Sequence, residues 1–291
     1  MVPLQFLILA GPTGAGKSEF AVRLAEQLRT EIVGADAFQI YAGLDTLSGK
    51  PPIQLRERIP HHLVGVLPIT ETCDAGRYSE LASKRIGSLN ARGIRPLVVG
   101  GTGFYLKALT QPLPELPGAD LNIRAEFASR SLASLLGELE TRDPICLQQI
   151  DRNNRRRVER ALEVCRLVGR PYSTFKADQP RSVPIPAMLL ERSRDELYRR
   201  IDCRVERMFE EGAVDEVRRT AQISQTAAQM IGFAQIKDYL AGRCSRQACI
   251  EAIQLATRQY AKRQLTWFRR QNYLPFPASG QPAEAAHFFG I

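Results

Sequence analysis

The chain opens on an almost unbroken apolar run, Leu4-Gln5-Phe6-Leu7-Ile8-Leu9-Ala10, which predicts a buried strand. A glycine-rich turn follows at once, and from Glu19 to about Arg29 the apolar residues recur at helical spacing. Glu31-Ile32-Val33-Gly34-Ala35-Asp36 reads as a second short strand ending at an acid, and Gly43 to Pro52 as loop with Lys50 near its end. His61 to Val66 is a third strand candidate, and Tyr78 to Asn90 is amphipathic at helical period. Ile94 to Val99 is the clearest buried strand, and it runs into Gly100-Gly101-Thr102-Gly103. Strands alternating with helices predict a parallel α/β sheet. From Gln111 the pattern changes: Pro112, Pro114 and Pro117 break the alternation, and the residues to about Lys176 read as helices. Pro180, Pro184 and Pro186 then lead into Ala187-Met188-Leu189-Leu190, a last core strand. Arg194 to Arg270 is helical again, with breaks near Gly212, at Gln222 to Gln225 and at Gly242. The simplest organisation is a helical insertion, 111–183, between a first core part, 1–110, and a continuation with C-terminal helices, 184–275, followed by a loosely held tail, 276–291.

Composition narrows the class. A chain of 291 residues with 44% hydrophobic and 24% charged residues is a soluble globular protein with a substantial core. It shows no membrane span, and its N-terminus enters a core strand with no basic leader, so a cytoplasmic protein without a membrane partner is expected. The six cysteines form no C-x-x-C pair, and the three histidines have no neighbour at metal-ligand spacing. His61 and His62 are adjacent, so in a strand they point to opposite faces and do not chelate one ion. Net charge is +9, which favours an anionic partner. The excess concentrates in two places. Arg152, Arg155, Arg156, Arg157 and Arg160 face a single Glu159, and Arg258, Lys262, Arg263, Arg269 and Arg270 interleave with Tyr260, Trp267 and Phe268. Each segment is either a solvated helix face or a nucleic-acid contact.

Gly11-Pro12-Thr13-Gly14-Ala15-Gly16-Lys17-Ser18 carries the chemistry. Its glycines let successive backbone N–H groups turn inward, the following helix start adds partial positive charge, and Lys17 adds a full one. That is a cradle for a di- or triphosphate, with the Ser18 hydroxyl suited to a Mg²⁺ on the phosphate oxygens. The fold class is therefore a P-loop NTPase-like parallel-sheet core with a helical insertion and C-terminal helices. Ligands of open parallel sheets bind beyond the carboxyl ends of strands, which places Asp36 beside the cradle. Asp36 is also a reasonable helix N-cap for Ala37 to Tyr41. The glycines from Gly100 to Gly103 either let backbone approach the same ligand or make a packed turn.

Assembled in order, these pieces resemble the bacterial tRNA dimethylallyltransferases. The likeness runs from the phosphate loop to about Arg270. It takes in Asp36 with Gln39 and Tyr41, Gly49-Lys50-Pro51, Pro60-His61-His62-Leu63, and Gly100-Gly101-Thr102-Gly103 with Tyr105-Leu106. It continues through Arg160-Ala161-Leu162-Glu163-Val164, Gln229-Met230-Ile231-Gly232-Phe233, and Thr257 to Gln264 followed by Thr266-Trp267-Phe268. The resemblance implies transfer of a dimethylallyl group from dimethylallyl diphosphate to N6 of adenosine 37, next to the tRNA anticodon, with diphosphate as leaving group. It implies a general base at Asp36, a threonine near the bridging oxygen at Thr13 and a diphosphate-binding arginine at Arg204. Contacts with the anticodon stem-loop would come from Asp36, Ala37, Phe38 and Gln39, from Thr102 and Arg124, and from Arg156, Arg157, Val158, Glu159 and Arg160. A monomer is expected. The family commonly has serine where Gly34 and Ala37 stand, and often arginine in place of Phe38, so hydroxyl contacts around Asp36 are lost while the acid itself is kept.

Other readings of the phosphate loop remain open at this level. A small-molecule kinase shares the loop but has little use for the two basic segments. An adenylate isopentenyltransferase takes a free nucleotide, which offers too few phosphates to engage both, and a nucleic-acid-binding NTPase switch would bind tRNA without changing its mass.

Overall fold

The computed structural model describes residues 5–111, 113, 114, 116–175 and 185–290. Leu4, Pro112, Lys176, Pro180, Pro184 and the expected junction at 183/184 lie outside the described residues. The chain divides into two compact units, one of residues 1–110 with 182–291 and one of residues 111–181.

The larger unit begins with β1 (Leu7–Ala10), α1 (Lys17–Leu28), β2 (Ile32–Gly34), α2 (Asp45–Ser48) and α3 (Ile53–Arg58). It continues through β3 (His61–His62), α4 (Ala75–Asn90), β4 (Leu97–Gly100) and α5 (Gly103–Thr110). The smaller unit holds α6 (Leu121–Ala128), α7 (Leu132–Arg142), α8 (Pro144–Gln149) and α9 (Arg155–Val168). The larger unit resumes with β5 (Ala187–Glu191), α10 (Arg194–Glu210), α11 (Ala213–Arg218), α12 (Phe233–Leu240), α13 (Arg246–Phe268), β6 (Leu274–Pro277) and α14 (Pro282–Phe288).

The six strands form one sheet in the order β3-β2-β4-β1-β5-β6. Every pairing is parallel. A parallel sheet is covered on both faces, which is why the strand residues are apolar without alternation. Ile8 and Ala10 enter a core with Tyr78, Ala82 and Ile86 of α4, whereas Leu7 and Leu9 enter the opposite core with Phe20 and Leu24 of α1. β3 is shorter than expected because the chain leaves the sheet at Leu63, which takes a positive φ of 59°.

The segment expected to hang loosely is ordered into the core, which corrects that expectation. Leu274-Pro275-Phe276-Pro277 pairs with β5 as the edge strand, where prolines are tolerated because one side of the backbone needs no partner. α14 then packs on α1 and buries Ala285, Ala286 and Phe289.

The insertion has its own small core, with Phe127, Leu135, Leu139, Val158 and Leu162 inside. Its buried acids are satisfied locally. Asp143 caps α8 through the Cys146 N–H at 2.9 Å, and it also accepts from the Ser173 hydroxyl at 2.8 Å. Glu163, 1% exposed, accepts from Arg124 Nε at 2.8 Å and from Arg160 Nη1 at 2.6 Å.

Candidate functional site

The stretch Gly11 to Ser18 runs from β1 into the first turn of α1, with Gly14 at φ 82° and Gly16 at φ 89°. Only glycine adopts this left-handed backbone without strain, and it is what lets the loop fold back on itself before the helix. Within the loop, the Ala15 N–H donates to Pro12 O at 3.2 Å and the Lys17 ammonium to the same carbonyl at 2.8 Å. Two arginines near the start of α10 donate to loop carbonyls: Arg200 Nε, which also lines the cavity in front of the loop, to Gly14 O at 3.0 Å and Arg192 Nε to Ala15 O at 2.8 Å. In a trans peptide the N–H lies opposite the C=O, so with Ala15 O held by Arg192 the Gly16 N–H points away from that arginine.

A cavity of about 540 Å³ opens in front of this loop, lined by Thr13, Lys17, Ser18, Asp36, Gly49 and Arg204 among others. Burial lowers the Lys17 ammonium to about pKa 8, against a raising influence from Asp36 and with a further lowering by Arg204. Burial also lowers Arg204, again opposed by Asp36. Arg204 Nη1 reaches Thr13 Oγ1 at 3.4 Å and Nη2 reaches Ser48 O at 3.3 Å. Among the described residues neither cation has a carboxylate within ion-pair distance. Two desolvated cations whose hydrogen bonds go only to neutral oxygens make a site for an anion.

Asp36 follows β2, half-buried, and its Oδ1 accepts from the Phe38 N–H at 3.0 Å and the Gln39 N–H at 3.3 Å. It therefore caps its own turn and lines the cavity with the same side chain. Thr102, after β4, accepts from the Ala37 N–H at 2.9 Å, and the Gln39 amide donates to Gly49 O at 2.9 Å. Around Asp36 the backbone thus supplies contacts at Gly34, Ala37 and Phe38, including the Gly34 carbonyl that accepts from Tyr78. Tyr260 of α13 faces this acid; burial first, and the Asp36 charge second, push its phenol up to about 12.

The remaining expected tRNA contacts lie in the other unit. Arg124, Arg156, Arg157, Val158, Glu159 and Arg160 belong to the smaller unit. There Val158 is buried in the insertion core, Glu159 accepts from Arg155 at 2.7 Å, and Arg124 and Arg160 clasp Glu163. Arg156 and Arg157 are exposed on α9. In the larger unit Arg258 pairs with Asp202 at 2.7 Å, while Lys262, Arg263 and Arg270 line an open groove with Trp267. Trp267 also packs against the core beside Phe268.

Three residues were given no role by the sequence: Arg192 and Arg200, and Gln264, which entered only as the end of the stretch from Thr257. Gln264 left a trace, since Ala261, Gln264 and Phe268 share the buried stripe of α13 and a glutamine there is out of place.

Ser18, in the first turn of α1, lines the cavity with Asp36. Among the described residues no group of three His, Cys, Asp or Glu side chains is assembled to hold a metal. Mg²⁺ suits such a sparse oxygen set, because it keeps several waters and takes the rest of its shell from substrate phosphates. No helix among the described residues is long and apolar enough to cross a membrane.

A family model described as IPP transferase matches residues 39–271, and one described as isopentenyl transferase matches residues 4–59. A tRNA dimethylallyltransferase of Akkermansia muciniphila is 42% identical over 94% of this chain and 93% of its own. One of Geobacter sulfurreducens is 40% identical over 98% and 97%. Among solved structures, a full-length tRNA isopentenylpyrophosphate transferase of Bacillus halodurans superposes with a TM-score of 0.72 at 32% identity, covering 99% of this chain and 96% of that one. A eukaryotic dimethylallyltransferase acting on tRNA reaches a TM-score of 0.78 at 26% identity, covering 94% of this chain and 73% of that one.

Proposed function

The chain belongs to the IPP transferase family of tRNA dimethylallyltransferases, and from that premise we propose how its own residues perform the transfer of a dimethylallyl group to N6 of adenosine 37 in tRNA. The observation that carries the assignment of roles is the pair of partly buried cations, Lys17 at the start of α1 and Arg204 of α10, with neutral hydrogen-bond partners only, lining one cavity with the glycine loop and a carboxylate.

Dimethylallyl diphosphate binds with its diphosphate against the loop, Lys17 and Arg204. The adenosine N6 lone pair forms the new C–N bond at the allylic carbon while the C–O bond to diphosphate breaks, and the bonding pair leaves on the diphosphate oxygen. Negative charge grows on that oxygen, so Lys17, Arg204 and the Thr13 hydroxyl stabilise the transition state more than the ground state. A Mg²⁺ held by Ser18 and the diphosphate would neutralise part of the same charge. Asp36 accepts the N6 proton, a role suited to a carboxylate held in place by two backbone N–H groups. The adenine leaves the anticodon loop stack to reach this cavity, since its N6 edge is otherwise covered by neighbouring bases. The anticodon stem-loop is gripped electrostatically, with Arg156 and Arg157 of the insertion supplying exposed charge.

The test is direct. Unmodified tRNA is incubated with the protein, Mg²⁺ and dimethylallyl diphosphate, and the digested RNA is analysed by mass spectrometry. An adenosine heavier by one C5H8 unit is expected. Transfer to free AMP but not to tRNA, or phosphoryl transfer from ATP in its place, would overturn the reading.

A further inference from the structure

The transfer just described needs two loops in register. The donor sits on the loop after β1, and the acceptor amine sits by Asp36, which the loop after β4 supports through Thr102. The sheet fixes the roots of these loops because β1 and β4 are neighbours, but it does not fix their tips.

One side chain joins the tips. Gln264, 6% exposed, accepts from the Thr13 N–H through Oε1 at 2.9 Å and donates from Nε2 to Gly101 O at 2.7 Å. The orientation of the amide is dictated by its partners, since a backbone N–H needs an acceptor and a carbonyl a donor. The fit is close: a Cβ at Gly101 would lie 2.4 Å from Gln264 Nε2. The next residue, Thr102, donates its N–H to Ala35 O at 3.2 Å and accepts from the Ala37 N–H at 2.9 Å, so the constraint passes to both sides of Asp36. The helix carrying Gln264 is itself anchored, by Arg258 on Asp202 of α10 and by Phe268 in the core.

We propose that Gln264 is a positioning residue that sets the separation between the diphosphate cradle at Thr13 and the acceptor side at Thr102 and Asp36. The inference rests on the functional reading above. Gln264 touches no reacting atom. It acts on the alignment of donor carbon and acceptor nitrogen, a quantity to which rate is steeply sensitive: misplacement by about 1 Å costs on the order of 10²-fold.

Gln264→Met keeps the length and removes both hydrogen bonds. Its transfer kcat should fall about 10- to 100-fold. Affinity for pyrophosphate and for tRNA, each measured alone, should stay near wild type, because each half of the site is intact. Gln264→Glu keeps the bond to the Thr13 N–H but sets a carboxylate against Gly101 O. Protonation of that carboxylate restores the second bond, so its kcat deficit should shrink as pH falls, relative to wild type at each pH. This profile also decides the matter if Gln264→Met does not fold, as judged by its melting curve. Wild-type kcat in both folded variants would overturn the proposal. So would a loss confined to the KM for dimethylallyl diphosphate, which would mean that Gln264 serves the cradle alone. Absence of C5H8 transfer by the wild-type protein sinks the functional reading instead, and the two failures are distinguishable.

Discussion

Gly49 gives a way to move Arg204 without mutating it. Gly49 has φ 60°, and a Cβ built there would lie 1.5 Å from Arg204 Nη2 and 2.3 Å from Cζ. Those atoms are the far end of a flexible side chain, so in Gly49→Ala the guanidinium swings away and the fold is kept. The stability cost is then that of an L residue in left-handed backbone, about 1–2 kcal/mol, or a drop in Tm of a few degrees. Function should suffer far more. The displaced arginine loses both Thr13 Oγ1 and Ser48 O and, on the proposed mechanism, would take one of the two cations off the leaving group. Loss of one preorganised charge or donor at such a position costs about 10²- to 10³-fold in turnover. Gly43→Ala is the matched control, because Gly43 also has positive φ, 86°, with nothing within 4 Å of the new Cβ. It should pay the backbone cost and keep its activity. Both variants are melted and assayed for C5H8 transfer to tRNA at saturating substrates. Equal turnover in the two would refute the placement of Arg204 on the diphosphate.

Further tests address the other groups. Asp36→Asn retains an oxygen to accept from the Phe38 and Gln39 N–H groups, so the turn survives, and turnover should fall about 10²- to 10⁴-fold if the carboxylate takes the N6 proton; unchanged turnover would leave Asp36 as a cap only. Burial lowers Lys17 to about pKa 8, and a bound diphosphate raises it, so dimethylallyl diphosphate affinity should be level from about pH 7, where the ligand is fully ionised, to pH 8 and fall above it, with proton uptake on binding visible by calorimetry in buffers of different ionisation enthalpy. An affinity unchanged to pH 10 would mean that Lys17 does not meet the diphosphate. Arg156→Ala with Arg157→Ala should weaken tRNA binding and flatten its dependence on salt by about one unit of slope per lost phosphate contact, whereas Arg160→Ala should lower the stability of the insertion because Glu163 is left buried with one partner fewer. An unaltered salt slope in the double variant would reduce these arginines to a solvated face.

The parallel sheet was legible because its signals are local. The run to Ala10 and the run to Val98 are buried on both faces, and the glycine loop between strand and helix has few other uses. β6 was not legible, since Pro275 and Pro277 argue against a strand and only the free edge beside β5 accommodates them. The length of β3 was misjudged for a related reason: Leu63 is apolar like a strand residue, yet its positive φ, visible only in three dimensions, turns the chain out of the sheet.

Charge was harder to read than shape, because a sequence shows how many cations a segment holds and not what each one faces. Five arginines between Arg152 and Arg160 look alike as a string. In the structure Arg152 donates to Leu147 O, Arg155 is tied to Glu159 and to two carbonyls, and Arg160 is committed to Glu163 and Pro117 O. The same holds on α13, where Arg258 is taken by Asp202. The cations proposed to serve the chemistry are few, and what marks them is the opposite condition. Lys17 and Arg204 sit in a cavity, lowered by burial and bonded only to neutral oxygens, so a diphosphate bound as proposed would replace weak partners and break no ion pair. A resident carboxylate on either would have to be displaced before the substrate could bind, and the binding energy spent on that exchange would be unavailable to the leaving group. Asp36 is held back by its own turn, close enough for its charge to be felt by both cations yet outside ion-pair distance of either, which would leave it available to the amine in the proposed transfer.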